Sequence, residues 1–287
     1  RKAAELASKS KSKDASDYWL RLAYAEVEAG RVDDAVADAR RAIAAYGAEN
    51  AKYHSLSTFV HPGFCLKLAH AGYPEKAESI LKEADAKVAS VAGEGSMPAQ
   101  AVMANHFEYL VRVKDYTRAE KVLKSFLRTD LNQGRYAPPN HDLYVCGVGP
   151  YPIQSSMDAV KKVLQVARQM ATVKSEAVVA LRFLNELLAV ELEQFSKDDY
   201  RVGLTYSNIA QVRFVAGQNQ EAYEAFEKAK EIMHKYEGIM WVLSSLGPDY
   251  YSVLRKVGKQ SEIERMESLK LEEQRQRQSG RLRSRRN

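Results

Sequence analysis

The sequence predicts an all-α fold of stacked helical hairpins, and three features support this prediction. Glycines precede several recurring alanines by five residues, where a helix would end. Apolar residues lie around each of these alanines at intervals of three and four residues, which is the spacing of one helix face. The alanines themselves recur at separations of 42, 42, 61 and 42 residues, at Ala35, Ala77, Ala119, Ala180 and Ala222. A regular period of this kind is the signature of a repeat array.

Each repeat is predicted to have a first helix, a turn and a second helix that contains the recurring alanine. Small residues suit the helix crossing, because two helices approach closely only where side chains do not hold them apart. The residues predicted to face the core are, repeat by repeat, Trp19, Leu22, Ala23, Ala35, Ala39 and Ala42; Phe64, Cys65, Ala77, Leu81 and Ala84; Phe107, Leu110, Ala119, Leu123 and Phe126; Leu164, Ala167, Ala171, Ala180, Leu184 and Leu187; and Tyr206, Ile209, Ala210, Ala222, Phe226 and Ala229.

The turns of three repeats are predicted to contain a left-handed glycine. Gly30, Gly72 and Gly217 stand where the first helices end, and a residue without Cβ adopts positive φ at the lowest cost. A sixth, weaker repeat is predicted from helices over residues 240–257 and 260–276, where Ile263 replaces the alanine. Its second helix is largely polar, as the terminal repeat of an array requires.

The repeats resemble the tetratricopeptide-repeat (TPR) family. The fifth repeat matches that family's signature through Tyr206, Ile209, Ala210, Gly217, Ala222, Phe226 and Ala229. The first repeat, from Trp19 to Ala42, matches nearly as well, and the resemblance covers about residues 16–236. The 42-residue spacing is longer than the family's usual period and is similar to the long variety of kinesin light chains. The resemblance implies a right-handed α-solenoid of about five to six hairpins, and it is specific for fold rather than function.

The predicted domain organisation is a solenoid between two basic ends. The solenoid covers residues 16–271, with repeats near 16–47, 58–92, 97–128, 157–195, 199–236 and 240–271. Residues 1–15 are predicted to be a basic, disordered linker, and residues 272–287 an Arg-rich, disordered tail. Arg1 in place of Met, with no apolar signal-peptide core up to Asp14, indicates a processed chain or an excised piece.

A long insertion interrupts the period between the third and fourth repeats. The 61-residue separation exceeds 42 by 19 residues, and this surplus falls in a Pro- and Gly-rich loop predicted over residues 129–154. Phe107 and Arg168 flank it and stand where the family has a small residue, so the joint is expected to pack irregularly. Two interpretations stay open: a lid that folds into the groove, and a surface excursion over the irregular joint.

The charge distribution argues against a basic binding stripe on the folded body. The net charge is +6, but residues 1–14 contribute +3 and residues 272–287 contribute +4, which leaves −1 for the rest. An RNA-binding or anionic-surface-binding role would therefore depend on the tail. Its arginines are Arg275, Arg277, Arg281, Arg283, Arg285 and Arg286.

The two cysteines and the six histidines show no metal-binding or redox spacing. Cys65 and Cys146 are too few for a disulfide framework and are predicted to be buried thiols in a reducing compartment. A cytoplasmic location is therefore expected. The sequence contains no run of about 18 apolar residues, which is the length needed to span a membrane. Glu186, Glu191 and Glu193 are predicted to belong to a solvated helix end rather than to a pair of catalytic carboxylates. We expect no cofactor, no metal and no catalytic activity.

The resemblance to the TPR family places partner binding on the first helices, which line a concave groove in such arrays. The predicted groove residues are Tyr24, Glu28, Leu66, His70, Glu108, Arg112, Gln165, Gln169, Gln211 and Phe214. An alternative for Leu66, Val111 and Phe214 is that they belong to the core between helices. The floor is predicted to be apolar in the first three repeats and Gln-rich in the fourth and fifth.

The function predicted from these features is a non-catalytic protein-interaction scaffold that binds an extended peptide or a partner helix in its groove. Two alternatives stay open. One is an RNA- or anionic-surface-binding protein that acts through the arginine tail. The other is the recognition module of a larger enzyme or signalling protein. Neither the identity of the partner nor the oligomeric state follows from the sequence.

Overall fold

A computed structural model of the chain describes residues 1–9, 14–47, 62–93, 96–132, 152–236 and 239–284. These residues form thirteen α-helices and no strand. The helices are α1 (Lys2–Lys9), α2 (Ala15–Glu28), α3 (Val32–Ala45), α4 (Pro62–His70), α5 (Pro74–Ala92), α6 (Met97–Arg112), α7 (Tyr116–Asn132), α8 (Pro152–Ala171), α9 (Ala177–Gln194), α10 (Tyr200–Val215), α11 (Asn219–Met233), α12 (Ile239–Lys256) and α13 (Gln260–Ser284).

Prolines and capping side chains begin several of these helices. Pro62, Pro74 and Pro152 are the first residues of α4, α5 and α8, where a missing N–H costs nothing because the first turn has no intrahelical acceptor for it. At α6 the Ser96 hydroxyl accepts a hydrogen bond from the Ala99 amide, which satisfies one of the free N–H groups at the helix start. No helix in the described part of the chain combines the length and apolarity needed to cross a membrane.

The chain divides into two units, residues Arg1–Val163 and Leu164–Asn287. In the first unit, α2 packs on α3, α4 on α5 and α6 on α7, while α2 also packs on α4, α3 on α5, and α6 on both α4 and α5. In the second unit, α9 packs on α10, α10 on α11, α11 on α12 and α12 on α13, and α10 also contacts α12. Within each unit, successive hairpins thus pack on one another, which is the packing of an α-solenoid. The predicted all-α fold of stacked hairpins is confirmed.

The five recurring alanines lie at the centre of this packing. Ala35, Ala77, Ala119, Ala180 and Ala222 are all 0% exposed. Each is the fourth residue of a second helix, and each donates its N–H to the residue that precedes that helix. Ile263 holds the same place in α13 and is also buried. The alanines therefore mark equivalent points in successive hairpins, as the sequence period predicts.

Five of the six turns between first and second helices share one geometry. A residue with positive φ follows the first helix, and the next residue donates its N–H to the carbonyl five positions earlier, as in the bond from Arg31 to Glu26 of 2.8 Å. This is the Schellman arrangement, which satisfies free carbonyls at a helix end. The positive-φ residues are Gly30, Gly72, Lys114, Gly217 and Gly258. The left-handed glycines expected at these turns are confirmed, and Lys114 replaces glycine in the third.

We expect Lys114→Gly to stabilise the chain by about 0.5 kcal/mol. Lys114 has φ of 62°, and a residue with a Cβ is strained there by about 1–2 kcal/mol. Glycine removes this strain but adds about 0.4–1 kcal/mol of unfolded-state entropy, so the net gain is small. Gly217→Ala at the equivalent turn, where φ is 83°, is the matched control and is expected to destabilise by about 1 kcal/mol. Urea unfolding measures both, and a loss of stability in Lys114→Gly would contradict the account.

The ends of the chain are more ordered than the sequence predicts. The expected disordered linker over residues 1–15 is wrong for Lys2–Lys9, which form α1, because Ala4 and Ala7 bury their side chains while α1 packs on α2. The expected disordered tail over residues 272–287 is wrong up to Ser284, the last residue of α13. Glu, Gln and Arg are good helix formers and no proline interrupts this stretch, so the helix continues. Residues 285–287 lie outside the described residues.

The insertion loop is shorter than its predicted bounds of 129–154. Helix α7 extends to Asn132 and α8 begins at Pro152, so both flanks of the predicted loop are helical. Residues 133–151 lie outside the described part of the chain, and both interpretations of the loop stay open.

Helix α12 also departs from the prediction of one continuous helix, because Gly247 has φ of 73° and precedes Pro248. A residue before proline avoids the helical conformation, and proline itself cannot donate a helix hydrogen bond.

Candidate functional site

In the first unit, side chains of successive first helices contact one another and line one surface. The Tyr24 ring of α2 packs edge-on against the Phe64 ring of α4, with centroids 5.4 Å apart. Burial raises the pKa of Tyr24 to about 12. On the same two helices, Glu28 forms an ion pair with Lys67, whose ammonium also lies 5.9 Å from the centre of the Tyr24 ring. Tyr24 and Glu28 therefore join two neighbouring hairpins.

Glu108 is the most strongly paired of the predicted groove residues. It is buried in α6 and accepts hydrogen bonds from Arg112 Nε at 2.9 Å and Nη2 at 2.5 Å. Lys162 of α8 pairs with its other oxygen. Burial would raise the pKa of Glu108, but Lys162 and Arg112 outweigh burial and leave this pKa below its usual value. Two cations thus share one carboxylate, and Arg112 remains half exposed.

In the second unit, the predicted groove residues are mostly accessible. Gln165 and Gln169 of α8 are exposed, whereas Gln211 and Phe214 of α10 are half-buried. Between these helices, the Arg168 guanidinium donates to Asn208 Oδ1 at 2.6 Å. Arg168, which stands where the TPR family has a small residue, therefore bridges two first helices in this unit.

The remaining predicted groove residues of the first unit divide between core and surface. Leu66 and Val111 are buried, as the alternative interpretation of them as core residues between helices predicts. His70 is exposed at the end of α4. In each unit, the surface formed by these side chains is called the first-helix face below. It consists of Tyr24, Glu28, Lys67, His70, Glu108, Arg112 and Lys162 in the first unit, and separately of Gln165, Arg168, Gln169, Gln211 and Phe214 in the second.

Sequence reasoning missed Lys67, although the sequence contains a signal for it. Opposite charges recur about one repeat apart and form ion pairs between neighbouring hairpins. Besides Glu28 with Lys67, Asp33 pairs with Lys76 at 2.6 Å, and Arg40 pairs with Glu83 at 2.8 Å. A search for complementary charges at the repeat period would have found these pairs, which connect one hairpin to the next.

Cys65 lies close to charged groups but is not an activated thiol. It is buried, and burial together with Asp85 raises its pKa to about 12, so the nucleophilic thiolate is disfavoured at neutral pH. The His106 ring nitrogen Nδ1 lies 3.1 Å from Asp85 Oδ2. Within the described residues, no group of three or more His, Cys, Asp or Glu side chains could hold a metal ion.

A polar network joins the last three helices. Lys230 Nζ of α11 donates to Glu227 Oε1 at 2.7 Å, to the Tyr250 hydroxyl at 2.8 Å and to Glu262 Oε1 at 2.6 Å. Burial and the neighbouring carboxylates raise the pKa of Tyr250, so this phenol remains protonated and cannot act as a base at neutral pH. The network fixes α12 and α13 on α11.

Glu191 is fully buried, which corrects the expectation of a solvated helix end. Its carboxylate is 0% exposed, and neither oxygen has a hydrogen-bond partner among the described residues. Burial raises its pKa to about 8, although the Thr205 hydroxyl and Arg201 favour the charged form. The Arg201 guanidinium is held by Asp199 at 2.7 Å. The carboxyl group is therefore largely protonated at neutral pH.

The arginines of the predicted tail continue along α13. Among the side chains described in α13, Ile263 and Met266 are buried, whereas Leu271 and Arg275 are exposed. Arg277, Arg281 and Arg283 belong to the helix, and Arg285 and Arg286 lie outside the described residues. The basic end of the chain therefore begins within α13.

Comparison with known proteins gives only distant likenesses. No protein-family model matches the chain, and no curated protein matches it. A crystal structure of nearly identical TPR-like repeats from Podosopora anserina, ascribed to a kinesin light chain, is similar at 15% identity and a TM-score of 0.38, over 77% of this chain and 96% of that one. A crystal structure of a single-substitution variant of the same repeats is similar at 16% identity and a TM-score of 0.37, over 76% and 94% of the two chains.

Structural similarities this weak say nothing about function. The repeat fold is recognised instead from the helical hairpins of the chain itself. The buried fourth residue of the second helices, the Schellman turns and the packing of successive hairpins within each unit are features of stacked helical repeats. They give the chain an all-α helical-repeat fold.

Proposed function

We propose that the chain is a protein-interaction scaffold that binds an extended peptide or a partner helix along its first-helix face. The observation that carries this proposal is the contact between first helices of successive hairpins in each unit. Glu28 meets Lys67 and Glu108 meets Lys162 in the first unit, while Arg168 meets Asn208 in the second. Within each unit, side chains from neighbouring hairpins thus form a row, which suits a ligand that extends along them.

The accessible groups of this face are suited to peptide chemistry. Arg112 uses two of its nitrogens on Glu108, so its third nitrogen is left to meet a carbonyl or carboxylate oxygen of a ligand. Gln165 and Gln169 are exposed and present amides that can both donate and accept hydrogen bonds. Half-buried Phe214 adds an apolar anchor. Backbone amides and mixed side chains of a peptide would satisfy all three kinds of group.

The proposal predicts that removing two accessible groups of this face weakens peptide binding without unfolding the chain. Random peptides displayed on phage are selected on the native chain, and enriched peptides are then measured by fluorescence polarisation. Gln165→Ala combined with Gln169→Ala, both exposed on α8, is expected to raise the Kd at least about tenfold, since truncating a binding hot spot costs more than about 1 kcal/mol. Tyr24 is left unchanged because its packing on Phe64 would confuse binding with folding.

Lys121→Ala combined with Asn185→Ala provides the matched control. Both residues are exposed on second helices, so this variant is expected to keep the native Kd. Both double variants are expected to unfold within about 0.5 kcal/mol of the native chain, as surface substitutions usually do. The proposal is wrong if no peptide is enriched, or if the two double variants bind equally. Binding to single-stranded RNA that disappears on deletion of residues 275–287 would instead support the arginine-tail alternative.

A further inference from the structure

Helix α1 has the residue pattern of a second helix, and the described residues contain no first helix that pairs with it. Aligning Ala4 and Ala7 with Ala39 and Ala42 of α3 places buried small residues at the same two positions. Glu5, which follows Ala4, is exposed and polar, as are Arg40, Lys82 and Asn185 at the corresponding position of α3, α5 and α9.

The contact between α1 and α2 also matches later contacts between a second helix and the first helix that follows it. Ser8, one residue after Ala7, accepts a hydrogen bond from the Trp19 indole at 2.7 Å. Asp85, one residue after Ala84, pairs with His106 at 3.1 Å. Lys230, one residue after Ala229, bonds the Tyr250 hydroxyl at 2.8 Å. In all three cases the same position reaches the next first helix through a polar contact.

A further contact of α1 repeats in the same register. Arg1, three residues before Ala4, lies 3.8 Å from Asp34, which directly precedes the recurring alanine of α3. Glu78, three residues before Leu81, pairs with Arg118, which directly precedes the recurring alanine of α7. The basic residue lies before the buried position in the first pair and the acidic residue in the second, but the two pairs occupy equivalent positions. Helix α1 therefore lies against the first hairpin as α5 lies against the third.

One position distinguishes α1 from the other second helices. Ala3 is exposed, whereas the corresponding residues of four other second helices are buried. They are Asp38, Ile80, Phe183 and Ala225. Asp38 interacts with Glu26 on the first helix of its own hairpin, so this position faces that helix. The covering element that Ala3 lacks is thus a first helix.

We propose that α1 is the second helix of a further hairpin, and that its open face at Ala3 takes an amphipathic first helix joined to α1 by a tight turn. The occupant has the chemistry of α2, with a large apolar residue and small residues three and four apart on one face. Burial of this face extends the stack by one repeat, and neighbouring repeats in such arrays stabilise one another. The inference concerns the end of the stack and does not depend on the proposed peptide binding.

An extended chain tests this directly. A copy of residues 16–35 is fused ahead of Arg1, which places a copy of Ala35 four residues before Ala4, the same interval as between Ala35 and Ala39. The expected results are a higher thermal unfolding midpoint and at least tenfold slower hydrogen exchange of the α1 amides, because fraying ends exchange fastest. The matched control carries the same extension with Trp19, Ala23 and Val27 of the copy replaced by Ser.

A substitution at Ala3 makes the test specific for the open face. Ala3→Lys is expected to leave the native chain unchanged, because Ala3 is exposed, and to lower the midpoint of the extended chain, because a lysine would then be buried. Equal midpoints and equal α1 exchange for the extension and its Ser control would overturn the proposal. So would an Ala3→Lys substitution that affects the native and extended chains equally.

Discussion

Glu191→Gln is expected to raise the stability of the second unit at pH 8 by several kcal/mol and to leave it nearly unchanged at pH 5. The carboxyl group of Glu191 is buried in α9, and burial raises its pKa to about 8 from an ordinary value of 4.5. Asp199 adds to this shift, while the Thr205 hydroxyl and Arg201 oppose it. Glutamine has the same shape and no proton to lose, so the substitution removes the titration.

The direction of the effect follows from which state holds the proton. Between pH 4.5 and about 8 the folded chain keeps the Glu191 proton, whereas the unfolded chain releases it. Unfolding is therefore favoured as pH rises through this window. The contribution of protonated Glu191 to the free energy of unfolding is fully present below about pH 4.5. It falls by about 1.4 kcal/mol per pH unit above that and is lost above about pH 8. Integrated from pH 5 to 8, the loss is about 4 kcal/mol, an upper value because local rearrangement would relieve part of it.

Urea unfolding of the native chain and of Glu191→Gln at pH 5, 6.5 and 8 measures this effect. The difference between the two chains isolates Glu191, since other buried carboxylates such as Glu26 are present in both. Glu193→Gln, at an exposed position of the same helix, is the matched control and should follow the native chain. Glu191→Met provides a second variant without a polar group. Parallel pH curves for the native chain and both Glu191 variants would show that the carboxyl group is hydrated.

The repeat register explains why Glu191 is buried and shows how the sequence could have revealed it. Glu191 lies eleven residues after Ala180, and the residues eleven after Ala35, Ala77 and Ala222 are Tyr46, Val88 and Met233. All three are buried. Local composition suggests a solvated helix end because several charges follow Glu191, but the three-dimensional position is determined by the period. A comparison of equivalent positions would have predicted that Glu191 is a carboxylate in an apolar core; the third repeat also has a carboxylate there, Asp130, whose side chain lies outside the described residues.

Most of the fold could be predicted because its determinants are local. A short period, small residues at helix crossings and glycines with positive φ all act within one hairpin, and the sequence shows each of them. The break in α12 was also readable, since Gly247 directly precedes Pro248, but the prediction gave the apolar periodicity more weight than proline chemistry. The helical state of α1 was harder to predict, because it depends on packing against α2 and α3 rather than on its eight residues.

The first-helix face was predictable in its positions but not in its contacts. The resemblance to the TPR family indicates which helices to consider, yet it does not show whether a side chain is accessible or already paired. Glu108 is shared by Arg112 and Lys162, and Leu66 is buried. Both outcomes depend on the distance between adjacent hairpins, which the sequence period alone does not give. Gln165 and Gln169, which are exposed, are therefore better positions for the binding test than Tyr24 or Arg112.

Ala222→Leu is expected to destabilise the second unit by about 1–3 kcal/mol, the usual cost of overpacking a close helix crossing. Ala222 is fully buried in α11, which packs on α10. The two helices also approach closely at Gly203, where a Cβ would lie 2.9 Å from Met233 Cγ and 3.2 Å from Ile232 Cγ2. Because Ala222 is fully buried between closely packed helices, three added carbon atoms are expected to push the helices apart.

Ala189→Leu is the matched control for this experiment, because Ala189 is exposed on α9 of the same unit. It is expected to stay within about 0.5 kcal/mol of the native chain. Thermal and urea unfolding followed by circular dichroism compare the two variants, and equal helical content in the native state shows that each still folds. If Ala222→Leu were as stable as Ala189→Leu, the crossing would have room for a large side chain. The recurring alanines would then reflect helix propensity rather than close packing, and the register on which the hairpin assignment depends would lose its physical basis.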